Sequence, residues 1–338
     1  MRLLQVSGSP HIHAKESTQK IMWTVIIALV PTLAFSIIYF GWDAARVAAI
    51  SVLACVLLEW IFQKFFLREK THIADGSAII TGLLLAFNVP SSLPVGIIII
   101  GAAVSIGIGK MVFGGLGKNP FNPALVGRVF LFISFPRQMT NWQLPSHAFF
   151  GTDAVSGAVT ADAITGATPL ALIKQAQKAG QDVSQLLEQL PTHFQFLMGD
   201  RGGSLGEAAA IAIVLGGIFM LVRKVISWHI PVAFIGTVFV FAAVLHWMNP
   251  SLYITPEYHI LAGGLLLGAI FMATDMVTSP MNNWGKIVFG IGCGLLTIIF
   301  RVWGRYPEGV SFAILIMNAF VPLINKGFKP KRFGSKTM

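Results

Sequence analysis

The chain has 338 residues, of which 55% are hydrophobic and only 11% are charged, and its mean hydropathy is +0.73. Soluble domains carry about 25% charged residues, so this composition excludes an ordinary soluble protein. The net charge of +10 does not indicate nucleic-acid binding, because the basic residues lie between apolar runs and in the C-terminal tail. The positive-inside rule places basic residues there in membrane proteins.

The residues that most often bind metals are sparse. The two cysteines, Cys55 and Cys293, lie far apart in apolar runs, which excludes a disulfide framework and an iron–sulfur or zinc site built on cysteines. His11 and His13 are closely spaced, but two positions apart on a polar segment they are poor ligands. We expect no metal site, so an organic cofactor must carry any electrons.

Apolar runs near 20 residues recur along the chain, and this length crosses about 30 Å of hydrocarbon. They predict an all-α integral membrane protein with about ten transmembrane helices. Ser17 is the expected N-cap of the first helix, and Pro31 is expected to kink it. The expected spans are residues 21–40, 44–62, 72–90, 93–112, 124–135, 206–222, 230–247, 258–273, 286–302 and 310–325.

These spans divide the chain into five regions. We expect a cytoplasmic N-terminus (1–20), a first five-helix half (21–135), an external polar segment (136–205), a second five-helix half (206–325) and a basic cytoplasmic tail (326–338). The loops assigned to the inside carry more than twice as many basic residues as the outer loops, which supports this orientation. Residues 171–189 are amphipathic and predict a surface helix in the external segment.

Some helices are expected to be broken near the membrane. Asp75 precedes Gly76 and is expected to cap a half-helix, either at membrane depth or at the interface. Residues 109–123 combine glycines with two Asn-Pro pairs, and non-helical backbone of this kind is tolerated where it lines a cavity or is buried by protein. As a hypothesis, Asp75, Lys110, Asp275 and Lys286 near these breaks line an ion path.

A short internal similarity suggests a repeat. G-K-M-V-F-G at residues 109–114 recurs as G-K-I-V-F-G at residues 285–290. We associate the copies with the fourth and ninth spans. The copies are five spans apart. Because five is an odd number, corresponding spans of the two halves would cross the membrane in opposite directions, so the halves would be inverted, as in many transporters.

The external segment contains the sequence D-A-I-T-G-A-T-P-L at residues 162–170. A phosphoester bond to a nucleotide requires a side-chain hydroxyl, and Thr168 is the candidate acceptor. The small Gly166 and Ala167 leave room for an enzyme, so we expect an accessible Thr168 hydroxyl. Asp162 has two open roles, aligning the segment or binding a metal in the transferase. Residues 153–159 begin in the same way but end in valine.

The pattern Asp162, Thr165, Gly166, Ala167, Thr168 resembles the signature at which membrane flavin subunits carry FMN through its phosphate. The whole chain resembles the RnfD family of Rnf-complex membrane subunits, which is related to the NqrB subunits of the sodium-pumping NADH:quinone reductase. The matching segments are residues 9–11, 75–78, 117–124, 162–170, 274–280 and 307–313.

This resemblance implies two inverted five-helix halves, distantly similar to urea channels, in the bacterial inner membrane. It implies covalent FMN on Thr168, attached by an FMN transferase, and allows a second, non-covalent flavin such as riboflavin toward the inner side. It also implies other Rnf subunits as partners in a hetero-oligomeric complex.

The expected function is that of a membrane subunit of an ion-translocating ferredoxin:NAD oxidoreductase, without a catalytic side chain of its own and inactive alone. Two alternatives stay open: a subunit of a sodium-pumping quinone reductase, and a flavin-free channel or transporter of the same fold. The sequence leaves Na⁺ against H⁺ and the direction of electron flow undecided.

Overall fold

The computed structural model describes residues 17–68, 73–145, 168–179, 190–199, 202–207, 210–304, 306 and 308–329. Its regular elements over these residues are helical, as predicted. Fourteen α-helices are described: α1 Thr18–Phe40, α2 Trp42–Ile61, α3 Ser77–Phe87, α4 Val95–Ala103, α5 Pro123–Ser134, α6 Pro136–Met139, α7 Pro169–Ala179, α8 His193–Met198, α9 Ala210–Val222, α10 His229–Met248, α11 Pro256–Leu261, α12 Leu265–Leu267, α13 Asn283–Val302 and α14 Val310–Gly327.

Three helices continue as π-helical turns. These turns follow α2 (Phe62–Leu67), α4 (Val104–Ile108) and α12 (Gly268–Met272). With these extensions, six helices of the described residues are long and apolar enough to cross a membrane: α1, α2, α4, α10, α13 and α14. The expected third, fifth and sixth spans are shorter apolar helices, and the expected eighth span is interrupted between α11 and α12.

The helices run between two ends of the bundle. We call the end that contains Lys110 and Lys286 the lysine end. In the first half, α1, α3 and α5 begin there, and α2 and α4 end there; in the second half, α10 and α13 begin there, and α9, α12 and α14 end there. Each of these helices in the second half thus runs in the direction opposite to that of the helix at the corresponding place in the first half.

The opposite end contains Thr168, and we call it the threonine end. Helix α7 packs on the C-terminus of α13, where Lys174 Nζ donates to the carbonyl oxygens of Phe300 and Arg301. Because α13 begins at the lysine end and its 20 residues span about 30 Å, Thr168 lies roughly one membrane thickness from Lys286.

Local sequence explains where several helices begin. Ser17 caps α1, as predicted, and α1 continues through Pro31. Asn122 caps α5 by accepting from the N–H of Ala124, and Pro123 occupies the first turn, where a missing N–H costs nothing. The N-cap residue of α3 is Gly76, not Asp75; Asp75 lies one residue earlier and accepts from the N–H of Ser77 at 2.8 Å, so it pairs the first N–H of the helix.

The short internal similarity does not mark equivalent positions. Its first copy, residues 109–114, follows the π-helical turn at the end of α4, whereas its second copy, residues 285–290, lies in the first two turns of α13. A rotation that relates two repeats preserves chain direction, so equivalent residues would lie at the same end of their helices. The pairing of these two copies is therefore wrong.

Two hydrophobic clusters hold the described helices together. The larger contains buried residues from both halves. The smaller lies at the threonine end, where Leu170 and Ile173 of α7 pack with Tyr258 of α11 and Phe196 of α8. Burial of a Leu or Ile side chain stabilises by about 1.5–3 kcal/mol, so this smaller cluster fixes α7 on the bundle.

Candidate functional site

Thr168 is the first residue described after residue 145, and it immediately precedes α7. Its hydroxyl accepts from the N–H of Ala171 at 3.2 Å, and its carbonyl accepts from the N–H of Leu172 at 3.0 Å. Thr168 is only 5% exposed, so the expectation of an accessible hydroxyl is wrong. The reason is that the hydroxyl caps the helix, a role for which threonine is well suited. Asp162, Thr165, Gly166 and Ala167 lie outside the described residues.

Helix α7 confirms part of the predicted amphipathic helix, and its buried face is anchored by a lysine. Lys174 is buried, and its ammonium donates to the carbonyl oxygens of Phe300 at 3.3 Å, Arg301 at 3.1 Å and Tyr306 at 3.1 Å. Carbonyls at a helix C-terminus lack partners within the helix and carry partial negative charge. Burial, with a smaller contribution from Lys178, lowers the pKa of Lys174 to about 8.

A turn with left-handed backbone completes this contact. Gly263 has a φ of 73° between α11 and α12, and a Cβ at this position would lie 2.8 Å from Leu170 Cδ1 and 2.9 Å from Arg301 Nη2. Arg301 also donates to the carbonyl oxygens of His259 and Ala262. The threonine end therefore brings α7, α13 and the interrupted span into close contact.

Buried charges join the two halves at the same end. Arg128 of α5 pairs with Glu308 and donates to Ser311 of α14. Glu207 is buried just before α9 in the chain and accepts from Ser204 at 2.7 Å. The sequence interpretation did not single out Glu207, Glu308 or Arg301, although each is an isolated charge beside an apolar run.

The lysine end encloses a cavity between the two halves, with an empty volume of about 780 Å³ that includes space open to the surroundings. Its walls are mostly apolar, and its polar lining comes from the helix breaks that the sequence predicted. These polar residues are Ser77, Thr81, Lys110, Asn119, Asn122, Thr274 and Asp275.

Lys110 lies in a buried network on one wall of this cavity. Its ammonium donates to both carboxylate oxygens of Glu59, at 2.9 and 2.7 Å, and to Ser77 Oγ at 2.6 Å. Gln63 donates to the same carboxylate at 2.9 Å, and Ser77 Oγ donates to Asp75 at 2.7 Å. A continuous chain of hydrogen bonds therefore runs from Asp75 to Gln63.

The four residues of the hypothetical ion path thus lie at one end. Lys110 and Asp275 line the cavity, and Asp75 reaches it through Ser77. Lys286 lies in a neighbouring pocket that shares part of the same wall. Glu59 belongs with this group but was not predicted, because 51 residues separate it from Lys110 and nothing in the sequence pairs them.

One atom in the cavity wall has no partner among the described residues. Asn119 is 4% exposed, its amide nitrogen donates to the carbonyl of Phe121 at 3.0 Å, and its Oδ1 accepts no hydrogen bond. An unpaired buried acceptor costs about 1–3 kcal/mol. A ligand with an N–H or O–H group at this wall would remove that cost.

Comparison with known proteins places the chain in a family. It matches the NQR2, RnfD, RnfE family over residues 5–334. The D component of the proton-translocating ferredoxin:NAD(+) oxidoreductase complex of Clostridium ljungdahlii is 41% identical to it, over 99% of this chain and 97% of that protein. The Na(+)-translocating counterpart of Acetobacterium woodii is 41% identical, over 98% and 95%. The D component of the ion-translocating oxidoreductase complex of Stutzerimonas stutzeri is 39% identical, over 95% and 93%.

These matches span nearly the whole chain, and the described residues include six helices able to cross a membrane. The chain is a multi-pass membrane protein and belongs to the NQR2, RnfD, RnfE family.

Proposed function

We propose that the chain is the RnfD-type membrane subunit of an ion-translocating ferredoxin:NAD⁺ oxidoreductase complex and carries FMN on Thr168. The observation that carries this proposal is the 41% identity to two such subunits over nearly the full length of each. The other subunits of that complex are the partners, and an FMN transferase forms the phosphoester bond.

The position of Thr168 suits a phosphoester. The N-terminus of a helix presents unpaired N–H groups and partial positive charge, which stabilise a phosphate. The 11-residue α7 supplies such a terminus at Thr168. The N–H of Ala171, which donates to the hydroxyl, would be available to a phosphoester oxygen at the same place.

The chain's own residues then hold the cofactor in position. FMN, when bound, supplies a carrier that passes between one- and two-electron partners. Lys174 and the cluster around Leu170 fix α7 on the bundle, so the attachment point is held at a constant distance from the membrane helices. The burial of Thr168 implies that attachment precedes docking of α7 or requires its transient release.

The cavity at the lysine end suits the second flavin, such as riboflavin. Its largely apolar walls with a few polar groups are of the kind that line pockets for ring systems. Asn119 Oδ1 is an acceptor without a partner among the described residues, and flavin rings and ribityl chains carry N–H and O–H donors. Lys110 and Asp275 would lie beside this flavin and balance changes in its charge.

The helix directions and charges support the orientation that we assign. The reversed directions of the second half are those of an inverted pair of halves. Most described basic residues in the loops and at the helix termini lie at the lysine end, which we therefore place in the cytoplasm: Lys20, Lys64, Arg68, Lys118, Arg223, Lys224, Lys326 and Lys329. Thr168 would then lie on the outer face.

The attachment is tested by co-expressing the chain with its FMN transferase and recording flavin fluorescence after denaturing electrophoresis. The wild type and Thr168→Ser should fluoresce, Thr168→Ala should not, and Thr160→Ala, outside the signature, is the matched control that keeps the acceptor. Fluorescence retained by Thr168→Ala would overturn the assignment. The identity of the subunits that co-purify with the chain distinguishes this complex from a quinone reductase. If no preparation of the chain contains flavin, the channel alternative is favoured.

The ion path is tested in proteoliposomes that contain the complex. Sodium and proton uptake are measured during ferredoxin oxidation for Asp75→Asn, Lys110→Met, Asp275→Asn and Lys286→Met, with exposed Lys329→Met as control. We expect reduced coupling in at least one of the four. Coupling equal to wild type in all four would refute the path.

A further inference from the structure

A second pocket at the lysine end lies beside the larger cavity and away from Thr168. It has an empty volume of about 520 Å³ and lies between the beginnings of α10 and α13. Its polar lining consists of Ser227, Ser279 and Lys286, together with Thr274, and its apolar lining includes Ile230 and Met276. It shares one wall with the larger cavity but opens beside the first turns of two membrane helices.

The cation in this pocket has no anionic partner among the described residues. Lys286 Nζ donates to Ser227 Oγ at 3.2 Å, and none of the described carboxylates forms an ion pair with it. Lys110 differs, because Glu59 neutralises it at 2.7 Å. The pocket around Lys286 therefore carries a net positive charge that an anion would balance.

A serine hydroxyl in the same pocket is available as a donor. Ser279 is 9% exposed and lines the pocket. Its backbone N–H donates to the carbonyl of Asp275 at 3.1 Å, but its hydroxyl makes no hydrogen bond within the described part of the chain. This hydroxyl can therefore donate to an acceptor bound in the pocket.

Two helix N-termini converge at this point. Gly290 of α13 packs on the carbonyl of Ile230, and Gly294 packs on the carbonyl of Phe234, so α13 and α10 run parallel and begin side by side. No side chain caps the N-terminus of α10 among the described residues. The partial positive charges of both helices therefore add to that of Lys286.

The surroundings are those of a membrane interface. Trp228 and Trp284 flank the two N-termini and are 55% and 67% exposed, as in the aromatic belts of membrane proteins. Below them, Val232 of α10 and Val288 of α13 are exposed apolar residues that an acyl chain would contact. The exposed basic pair at residues 223–224 lies nearby in the chain and adds to the attraction for anionic lipids.

We propose that this pocket binds the phosphate of an anionic phospholipid headgroup from the inner leaflet. Lys286 Nζ, Ser279 Oγ and Ser227 Oγ donate to the phosphate oxygens, the two helix N-termini face its charge, and the acyl chains lie along α10 and α13. Inorganic phosphate has the same oxygen chemistry but no acyl chains, so a lipid and a free ion can be distinguished.

The test uses the purified complex, exchanged into zwitterionic detergent and titrated with phosphatidylglycerol while bound lipid is counted by native mass spectrometry. We expect one phosphatidylglycerol to bind the wild type about five- to tenfold more tightly than Lys286→Met, in line with the loss of one interfacial charge. Ser279→Ala, which removes one hydroxyl and little volume, should weaken the same site without affecting folding. Lys329→Met removes an exposed charge at the same end and should bind as the wild type does.

Three results would overturn the proposal. Equal retention of phosphatidylglycerol in the wild type, Lys286→Met and Ser279→Ala would show that the pocket does not select the lipid. Inorganic phosphate that displaces the lipid completely would assign the site to a free anion. If phosphatidylcholine, which has no net charge, binds as tightly as phosphatidylglycerol, the net charge of the headgroup does not determine binding.

Discussion

The two ends of the bundle differ in how their polar groups are satisfied. At the threonine end, Thr168 caps α7, Lys174 caps α13 and Arg128 pairs with Glu308. At the lysine end, Asn119 Oδ1 lines the larger cavity without a partner among the described residues. At the threonine end, the buried His259 Nδ1 and Thr255 Oγ1 also lack described partners, but they do not line that cavity. If Thr168 carries FMN as proposed, the threonine end would hold the attached group in place, whereas the cavity at the lysine end would accept an exchangeable ligand.

The exception to this contrast is the Glu59–Lys110 pair, a fully paired charge cluster described at the lysine end. Replacement of Glu59 by Gln leaves Lys110 buried without a counter-charge and should destabilise the chain by about 3–5 kcal/mol, because an unpaired buried charge is costly. The double variant Glu59→Leu with Lys110→Met removes both charges and should recover most of the loss. Reversible unfolding in mixed detergent measures both free energies of unfolding.

Failure of the double variant to recover would mean that Lys110 has a further essential partner. If both variants lose the same small amount of unfolding free energy, water reaches the Glu59–Lys110 pair.

The contact of α7 with the bundle is tested by a glycine pair. Gly263→Ala should destabilise docking of α7 by about 1–3 kcal/mol, because the residue has a φ of 73° and the added Cβ would contact Leu170 and Arg301 closely. Gly264→Ala is the matched control, since its φ is −75° and no atom lies within 4 Å of its Cβ. Protease cleavage between α7 and α8 should accelerate only in Gly263→Ala, and equal rates would argue against the contact.

The inner cavity is tested through its unpaired acceptor. Asn119→Leu should lower the affinity for a non-covalent flavin by about tenfold, the effect of losing one hydrogen bond of about 1–1.5 kcal/mol. Flavin released by acid from the purified chain measures occupancy, whereas the flavin proposed on Thr168 would stay attached. Asn249→Leu, at an exposed position of the other end, should leave both unchanged. If Asn119→Leu releases as much flavin as the wild type, Asn119 Oδ1 does not bind the flavin.

A pH dependence is expected at the threonine end. Burial lowers the pKa of Lys174 to about 8 from its ordinary 10.5, so the unfolded state binds more protons between these values and stability should rise with pH. The slope is at most about 1.4 kcal/mol per pH unit for one proton. Thermal unfolding of the wild type and Lys174→Met between pH 8 and 10 measures it. If the wild type and Lys174→Met show the same slope, a titratable group other than Lys174 causes the pH dependence.

The local parts of this structure could be predicted from the sequence. Ser17, the predicted cap, accepts from the N–H of Lys20 at the start of α1, and Asp75 accepts from the N–H of Ser77 at the start of α3. Contacts of this kind depend on short-range chemistry. The breaks near Gly109 and Asp275 followed from glycine, proline and charge in apolar runs, and these breaks line the larger cavity.

The remaining features depend on contacts between distant residues. Glu59 and Lys110 meet because α2 and α4 end at the same place, and Lys174 reaches carbonyls more than 100 residues away. The burial of Thr168 was missed because small neighbours suggest access, whereas the hydroxyl is used as a cap. The repeat of Gly-Lys-x-Val-Phe-Gly was misleading because short glycine-rich segments recur at unrelated positions of membrane helices.

The central claim is the phosphoester on Thr168, and the intact mass of the chain tests it most directly. The chain is purified from cells that also express the FMN transferase and the other subunits, and its mass is compared with the unmodified 36.5 kDa. The account predicts an increase equal to one esterified FMN, located by fragmentation on the peptide that contains Thr168. An unmodified mass in a complex that still oxidises ferredoxin and translocates ions would contradict it.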